Sequence, residues 1–215
     1  MNIIEDLQTD LLKSDCDVAS ALRKARVISY NLGLVEFEEW VKHELSGYNK
    51  NDILPSYRRN IYGQLKCLHK RGLLPLSFSD SQMENTASCH DFIESIPELI
   101  ALLNNIEGPC ISSKYPASLS NIIWKDSGYP PMDIYIIIEK SAINNINEQV
   151  KNKLLDWVLM LNNKGITAEE TSFSSVEKTK ALNDPQIVNY VTNIYGNVEG
   201  SQIQQGTSNS NQIIL

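Results

Sequence analysis

The side chains of this chain that could do chemistry are few and scattered. Three histidines (His43, His69, His90) and four cysteines (Cys16, Cys67, Cys89, Cys110) are its whole stock of imidazoles and thiols. Cys67 with His69, and Cys89 with His90, bring two of each into one stretch and raise the question of a metal site. Zinc modules usually set their paired ligands two to four residues apart in both halves, and adjacent residues such as Cys89 and His90 rarely reach one ion. The expectation is packed thiols and surface imidazoles, with no metal and no cofactor. The cysteines form no C-x-x-C pair, which suits reduced thiols in a cytosol. The carboxylate pairs Glu38-Glu39 and Glu169-Glu170 are sequence neighbours, and neighbours on a helix point apart, so they read as solvated faces rather than acid–base partners. No P-loop, dinucleotide fingerprint, H-E-x-x-H or G-x-S-x-G string occurs. A spatial triad is not ruled out by spacing, but no serine sits in a nucleophile-elbow context, and no catalytic residue is assigned.

The densest group of functional types lies in residues 22–48 and 54–58. Arg23, Lys24 and Arg26 fall on one helical segment, and Glu36, Trp40, His43 and Glu44 on the next, with Arg58 shortly after. One reading is a ligand or partner surface made by Arg23, Trp40, His43 and Arg58. The favoured alternative is a helix hairpin with Trp40 in the core and Arg–Glu pairs along its rim, because aromatic residues at helical spacing are usually core.

The elements that would position these residues can be read from periodicity. Ile3, Ile4, Leu7, Leu11 and Leu12 share one helical face. Residues 14–17 offer caps for a second helix carrying Val18, Leu22, Ala25, Ile28 and Leu32, which stops at Gly33. Phe37, Trp40, Val41 and Leu45 mark a third, ended by Gly47. Residues 49–58 read as a loop, 60–68 as a strand, 72–78 as a strand or apolar loop, and 79–88 as irregular. A fourth helix is expected from residue 91 or 92 to about 104, and strands over 118–124 and 133–139, the latter apolar on both faces as in a central strand. The strongest helix runs over about 142–163 and is closed by Gly165; its extra Leu155, Trp157 and Leu159 predict burial on more than one side. Residues 167–183 are uninformative.

From residue 187 the texture shifts. No Lys or Arg follows Lys180, and residues 193–212 are rich in Asn, Gln, Gly and Ser, with Val198 and Ile203 set among amides and Gly196, Gly200 and Gly206 as punctuation. Such a segment favours extended backbone with tight bends. A loose polar tail, a strand pair docked on the same chain, and homotypic pairing through amide ladders all remain open. Tyr195, Asn197, Val198, Gln202, Ile203 and Gln204 are the residues expected to carry self-association.

A formal charge of −7 argues against a chain whose main work is gripping nucleic acid, since phosphate contact favours a basic surplus; Arg58-Arg59 and Lys70-Arg71 are read as loop charges. No apolar run is long enough to span a bilayer, and residues 1–6 lack the basic start of a signal peptide, so a cytoplasmic protein is expected. The fold class expected is α+β: an N-terminal short-helix unit with a first strand (1–75), a central mixed region with a long helix (76–185) and a β-prone Gly/Asn/Gln-rich tail (186–215).

The residues Leu22-Arg23-Lys24-Ala25, Leu32-Gly33, Glu36-Phe37, Trp40-Val41, Glu44-Leu45, Gly47-Tyr48 and Pro55-Ser56-Tyr57-Arg58 resemble the AbiTii domain, best over roughly residues 1–75. Residues 194–207 are also similar to C-terminal segments of proteins of this kind and, less specifically, to amyloid signalling motifs of prokaryotic immune proteins. The resemblance implies abortive infection or another bacterial conflict system and carries no catalytic residues with it. The function expected is antiphage defence by protein binding and tail-mediated self-association, as a homo-oligomer with a possible protein partner, without a membrane or nucleic acid. A toxin-like enzyme (an RNase or nucleotide-directed hydrolase) and an antitoxin-like binding module are the alternatives.

Overall fold

Asn2 starts the first helix, α1 (Ile3–Leu11). Its side chain accepts the N–H groups of Ile4 and Glu5 while the Glu5 carboxylate reaches back to the Asn2 N–H, a reciprocal capping box. The computed structural model describes residues 2–78, 80–125 and 130–195. Asp17 caps α2 (Val18–Leu32) through the Ser20 N–H, and Gly33 ends it in the left-handed region (φ 77°) where a side chain would be strained. α3 (Val35–Ser46) packs back on α2 as a hairpin. A single 3-10 turn, Ser56–Arg58, leads to β1 (Ile61–Tyr62), β2 (Gln64–His69) and β3 (Gly72–Pro75). α4 (Ser81–Ala87), β4 (Cys89–His90), α5 (Ile96–Asn105), β5 (Cys110–Lys114) and α6 (Ala117–Trp124) follow. β6 (Ile134–Glu139) runs directly into α7 (Lys140–Asn163), and α8 (Ser175–Asn183), α9 (Pro185–Val188) and α10 (Tyr190–Tyr195) follow among the described residues.

Among the described residues two antiparallel sheets result: a four-stranded sheet of order β3-β2-β6-β5 and a small pair, β1-β4. β6 is central, as its apolar run predicts, with Leu65 opposite Ile136 on one side and Ile111 opposite Ile138 on the other. One pleat face, with Leu65, Cys67, Ile111, Ile134, Ile136 and Ile138, joins the core. α7 runs through that core with Ile143, Ile146, Val150, Leu154, Trp157, Val158 and Leu161 buried, contacting α1, α2 and α5. Its Leu159 is exposed and Leu155 half-buried, so the stripe is narrower than its composition suggests. Helices segregated from an antiparallel sheet make the fold α+β. No helix of the described residues is long and apolar enough to cross a membrane.

Several expectations are corrected. Residues 118–124 are helix α6, not a strand: Pro116 precedes its first turn, and Ser120 and Trp124, four apart, are the buried pair. The strand of that region is β5, whose short polar sequence owes its extended form to pairing with β6. Residues 81–87 form a helix because Asp80 accepts the Gln82 N–H. The helix expected from 91 or 92 begins at Ile96, where Ser95 and Glu98 cap each other and Pro97 occupies the first turn; Phe92 is buried in the lead-in. Ser174 and Glu177 do the same for α8 in the uninformative stretch. The texture change at residue 187 also does not mean extended chain at once: Asp184 and Pro185 start α9, and Ile187, Val191 and Ile194 bury a helical stripe through Tyr195.

Candidate functional site

Glu36, Glu39, Trp40 and His43 recur at helical spacing on one face of α3. That face forms one wall of a cleft of about 610 Å³. Val191, Thr192 and Tyr195 of α10 form the opposite wall, and Asp52 and Ile53 of the connecting loop close one end. Three carboxylates therefore line the cleft and no Lys or Arg does. The imidazole Nε2 of His43 lies 3.8 Å from Asp52 Oδ2, and the ring stacks on Tyr48 with centroids 4.9 Å apart. His43 Nδ1 is shielded from solvent and has no hydrogen-bond partner among the described residues. Asp52 is held by the backbone N–H and side-chain amide of Asn49, which keep its carboxyl below the usual range.

Beneath this cleft lies a buried polar network. Arg58 and Glu44 are both 0% exposed. Arg58 Nε donates to Glu44 Oε1 (3.1 Å) and Nη2 to Oε2, a two-pronged pair. Arg58 Nη1 donates to the carbonyls of Phe92 (3.1 Å) and Glu94 (2.8 Å). Glu44 Oε1 also accepts the hydroxyls of Tyr48 (2.8 Å) and Tyr57 (2.7 Å), and Trp40 Nε1 donates to Tyr57 (3.0 Å). Burial, followed by the neighbouring Glu44 charge, pushes both phenols up, so they stay protonated donors. Burial opposes the Arg58 charge, but Glu44 more than offsets it and the guanidinium is held above its ordinary value. The network joins α3, the turn at Ser56–Arg58 and the lead-in to α5, and so fixes the floor of the cleft.

The structure thus brings Trp40, His43 and Tyr195 to one cleft. Arg58 lies inside the body, and Arg23 is exposed on α2 and does not line the cleft. Asn197, Val198, Gln202, Ile203 and Gln204 lie outside the described residues. Sequence reasoning missed Glu44 as the partner of Arg58. Its signal was a carboxylate in register with Phe37, Trp40 and Val41 on a buried stripe, a position that demands a cation. It also missed Asp52 and Glu39, which gave no signal beyond ordinary surface acids. Among the described residues no group of three or more His, Cys, Asp or Glu could hold a metal ion.

The family model AbiTii matches residues 2–186 of the chain. No curated protein and no solved structure matches it.

Proposed function

The chain belongs to the AbiTii family, and from that premise we propose that it serves antiphage defence of the abortive-infection type as a binding and assembly protein. In this reading residues 1–75 and 76–185 form a sensing or adaptor body in the bacterial cytosol. Residues 196–215, beyond the packed helices α9 and α10, mediate self-association, and the acidic cleft between α3 and α10 receives a protein partner. The observation that carries the reading is the disposition of the polar residues. Arg58 and Glu44 neutralise each other in the interior. What faces the cleft is a set of acids beside Trp40 and Tyr195, a lining suited to recognition. Tyr195 stands at the cleft wall where the amide-rich segment starts, so a partner in the cleft and an assembling tail would be close enough to influence one another.

The test is deletion of residues 196–215. Phage plating efficiency and solution mass by light scattering are measured on parent and truncated chains. Loss of protection together with a fall in mass is expected; full protection at unchanged mass refutes the reading.

One observation favours a second reading, a toxin-like hydrolase. Among the described residues His43 Nδ1 has no partner, while Nε2 faces Asp52 and the Glu36 and Glu39 carboxylates line the same cleft. That reading predicts growth arrest on overexpression, relieved by His43→Ala in a chain that remains folded. A parent chain that is not toxic when overexpressed excludes it.

A further inference from the structure

The two edges of the four-stranded sheet differ in kind. In the β2-β3 hairpin the Leu76 N–H bonds to the Leu65 carbonyl, which sets the phase of the ladder. Gly72 and Leu74 then turn their backbone groups inward, and Leu73 and Pro75 turn theirs outward. Pro75 has no N–H to offer, and the hairpin end carries Lys70 and Arg71, so this edge is blunted against further pairing. At the other edge, Tyr115 N–H bonds to the Ile134 carbonyl and Lys140 N–H to the Pro109 carbonyl. Ile111 and Ser113 therefore pair with β6, and Cys110, Ser112 and Lys114 present N–H and C=O outward. Among the described residues no backbone partner meets those outward groups.

This second edge is also open on both faces of the pleat. Ser112 and Ser113, on opposite faces, are small and exposed. On one face a recess of about 480 Å³ is lined by Cys110, Ile137, Ala142 and Tyr62. On the other a recess of about 470 Å³ is lined by Ser113, Asn60, His90 and Tyr115. An added strand needs backbone partners along the edge and places for alternate side chains. The first recess offers Ile137, Ala142 and Cys110 as apolar surface, with Gln64, Glu139 and Ser141 on its rim, and the second offers the Asn60 amide and the His90 imidazole beside Asp91 and Lys114.

We propose that the outer edge of β5 accepts residues 201–205 of a second copy of this chain as a fifth strand, a proposal that rests on the self-association reading above. Ser201-Gln202-Ile203-Gln204-Gln205 is bounded by Gly200 and Gly206 and matches the five residues of β5 in length. In an extended segment Ile203 falls on one face, towards Ile137 and Ala142, and Gln202 and Gln204 on the other, towards Asn60 and His90. Residues 201–205 are themselves uncharged, so they bring no charge against Glu139 or Asp91 beside the edge, and Lys114 is tied to Asp133. The contact is heterologous, edge to tail, so each copy is both donor and acceptor and assembly continues past a dimer unless a ring closes.

The test uses full chains. Ser112→Pro removes an outward N–H and leaves the bonds to β6 intact; Ser112→Lys keeps the backbone and adds a guarding cation, and carries the test should the proline variant unfold. Ile203→Lys disables the donor. Each variant alone is expected at the monomer mass by light scattering, with parent-like circular dichroism. A 1:1 mixture of an edge variant with Ile203→Lys is expected at twice that mass, because one intact edge then meets one intact tail. Two monomeric variants that fail to combine overturn the pairing. An oligomer that survives both Ser112 variants yet is lost on deletion of 196–215 overturns β5 as acceptor and leaves self-association standing. A parent chain that is itself monomeric overturns both.

Discussion

Replacing Arg58 by methionine tests the claim that the polar network under the cleft is structural. The substitution roughly conserves length but removes a guanidinium that donates to both oxygens of Glu44 and to the carbonyls of Phe92 and Glu94. Glu44 keeps the Tyr48 and Tyr57 hydroxyls on Oε1, but its charge is left at 0% exposure without a cation. Breaking a fully buried ion pair from one side costs about 3–5 kcal/mol, mostly because the other charge is stranded. Against a typical domain stability of about 5–15 kcal/mol this is a large fraction. At about 2–4 °C per kcal/mol for a chain of this size, it corresponds to a drop in melting temperature of about 6–20 °C. Urea unfolding followed by tryptophan fluorescence suits the measurement, since Trp40 and Trp157 are both enclosed. The Glu44→Gln/Arg58→Met pair provides the control: with the stranded charge gone, the double variant should lose less than the sum of the singles by about 1–3 kcal/mol. An Arg58→Met chain within about 1 kcal/mol of the parent, or additive singles, would refute the assignment.

Three further outcomes follow from packing and titration. Gly63→Ala should destabilise by about 1–3 kcal/mol in urea melts, because its Cβ would stand 2.5 Å from Ile136 Cγ1 and 2.8 Å from Ile138 Cγ1, both in buried residues. Phe37→Ala should cost about 3–5 kcal/mol by the same assay, since the ring stacks on Trp157 with centroids 4.0 Å apart and is itself 2% exposed. Burial alone would raise the Glu177 carboxyl, but the N–H groups of Thr167, Ser174 and Ala168 and the Ser174 hydroxyl bring it down from its ordinary 4.5 to about 2. A depressed carboxylate contributes stability that is fully present above about pH 4.5 and lost as pH falls towards 2. The melting temperature of the parent should therefore fall more steeply between pH 5 and pH 2 than that of Glu177→Gln; parallel curves would count against it.

What the sequence disclosed, and what it hid, divides along a physical line. α1, α2 and α3 are legible because their stripes are local and their ends are marked by Asn2, Asp17, Gly33 and Gly47. β6 and α7 are legible because each is long or apolar enough to override its surroundings. β5 is not, since Cys-Ile-Ser-Ser-Lys becomes a strand only when β6 supplies its partners. α6 misleads because Ile122-Ile123-Trp124 is β-prone in isolation while Leu119 and Ile122 stay exposed in the fold. Two capping boxes, Ser95 with Glu98 and Ser174 with Glu177, were present as S-x-x-E patterns and would have fixed both helix starts. At the site, α3 periodicity places Glu36, Trp40 and His43 together. The other wall of the cleft, from Val191 to Tyr195, depends on a long-range return of the chain that no local pattern encodes.

The pairing of β2 with β6 has a consequence in time. Leu65 meets Ile136 and Cys67 meets Ile134, partners separated by roughly seventy residues, whereas α1, α2 and α3 need only one another to form their first contacts. At a synthesis rate of about 5–20 residues per second, β2 leaves the ribosome roughly 4–14 s before the strand that completes it. During that interval the β2-β3 hairpin carries Leu65, Cys67, Leu73 and Leu74 with an unfilled side, next to a helical unit that can already have collapsed. The nascent chain is most exposed to misdirected strand pairing in that window, and it closes only when Ile134 to Glu139 emerge and slot between β2 and β5.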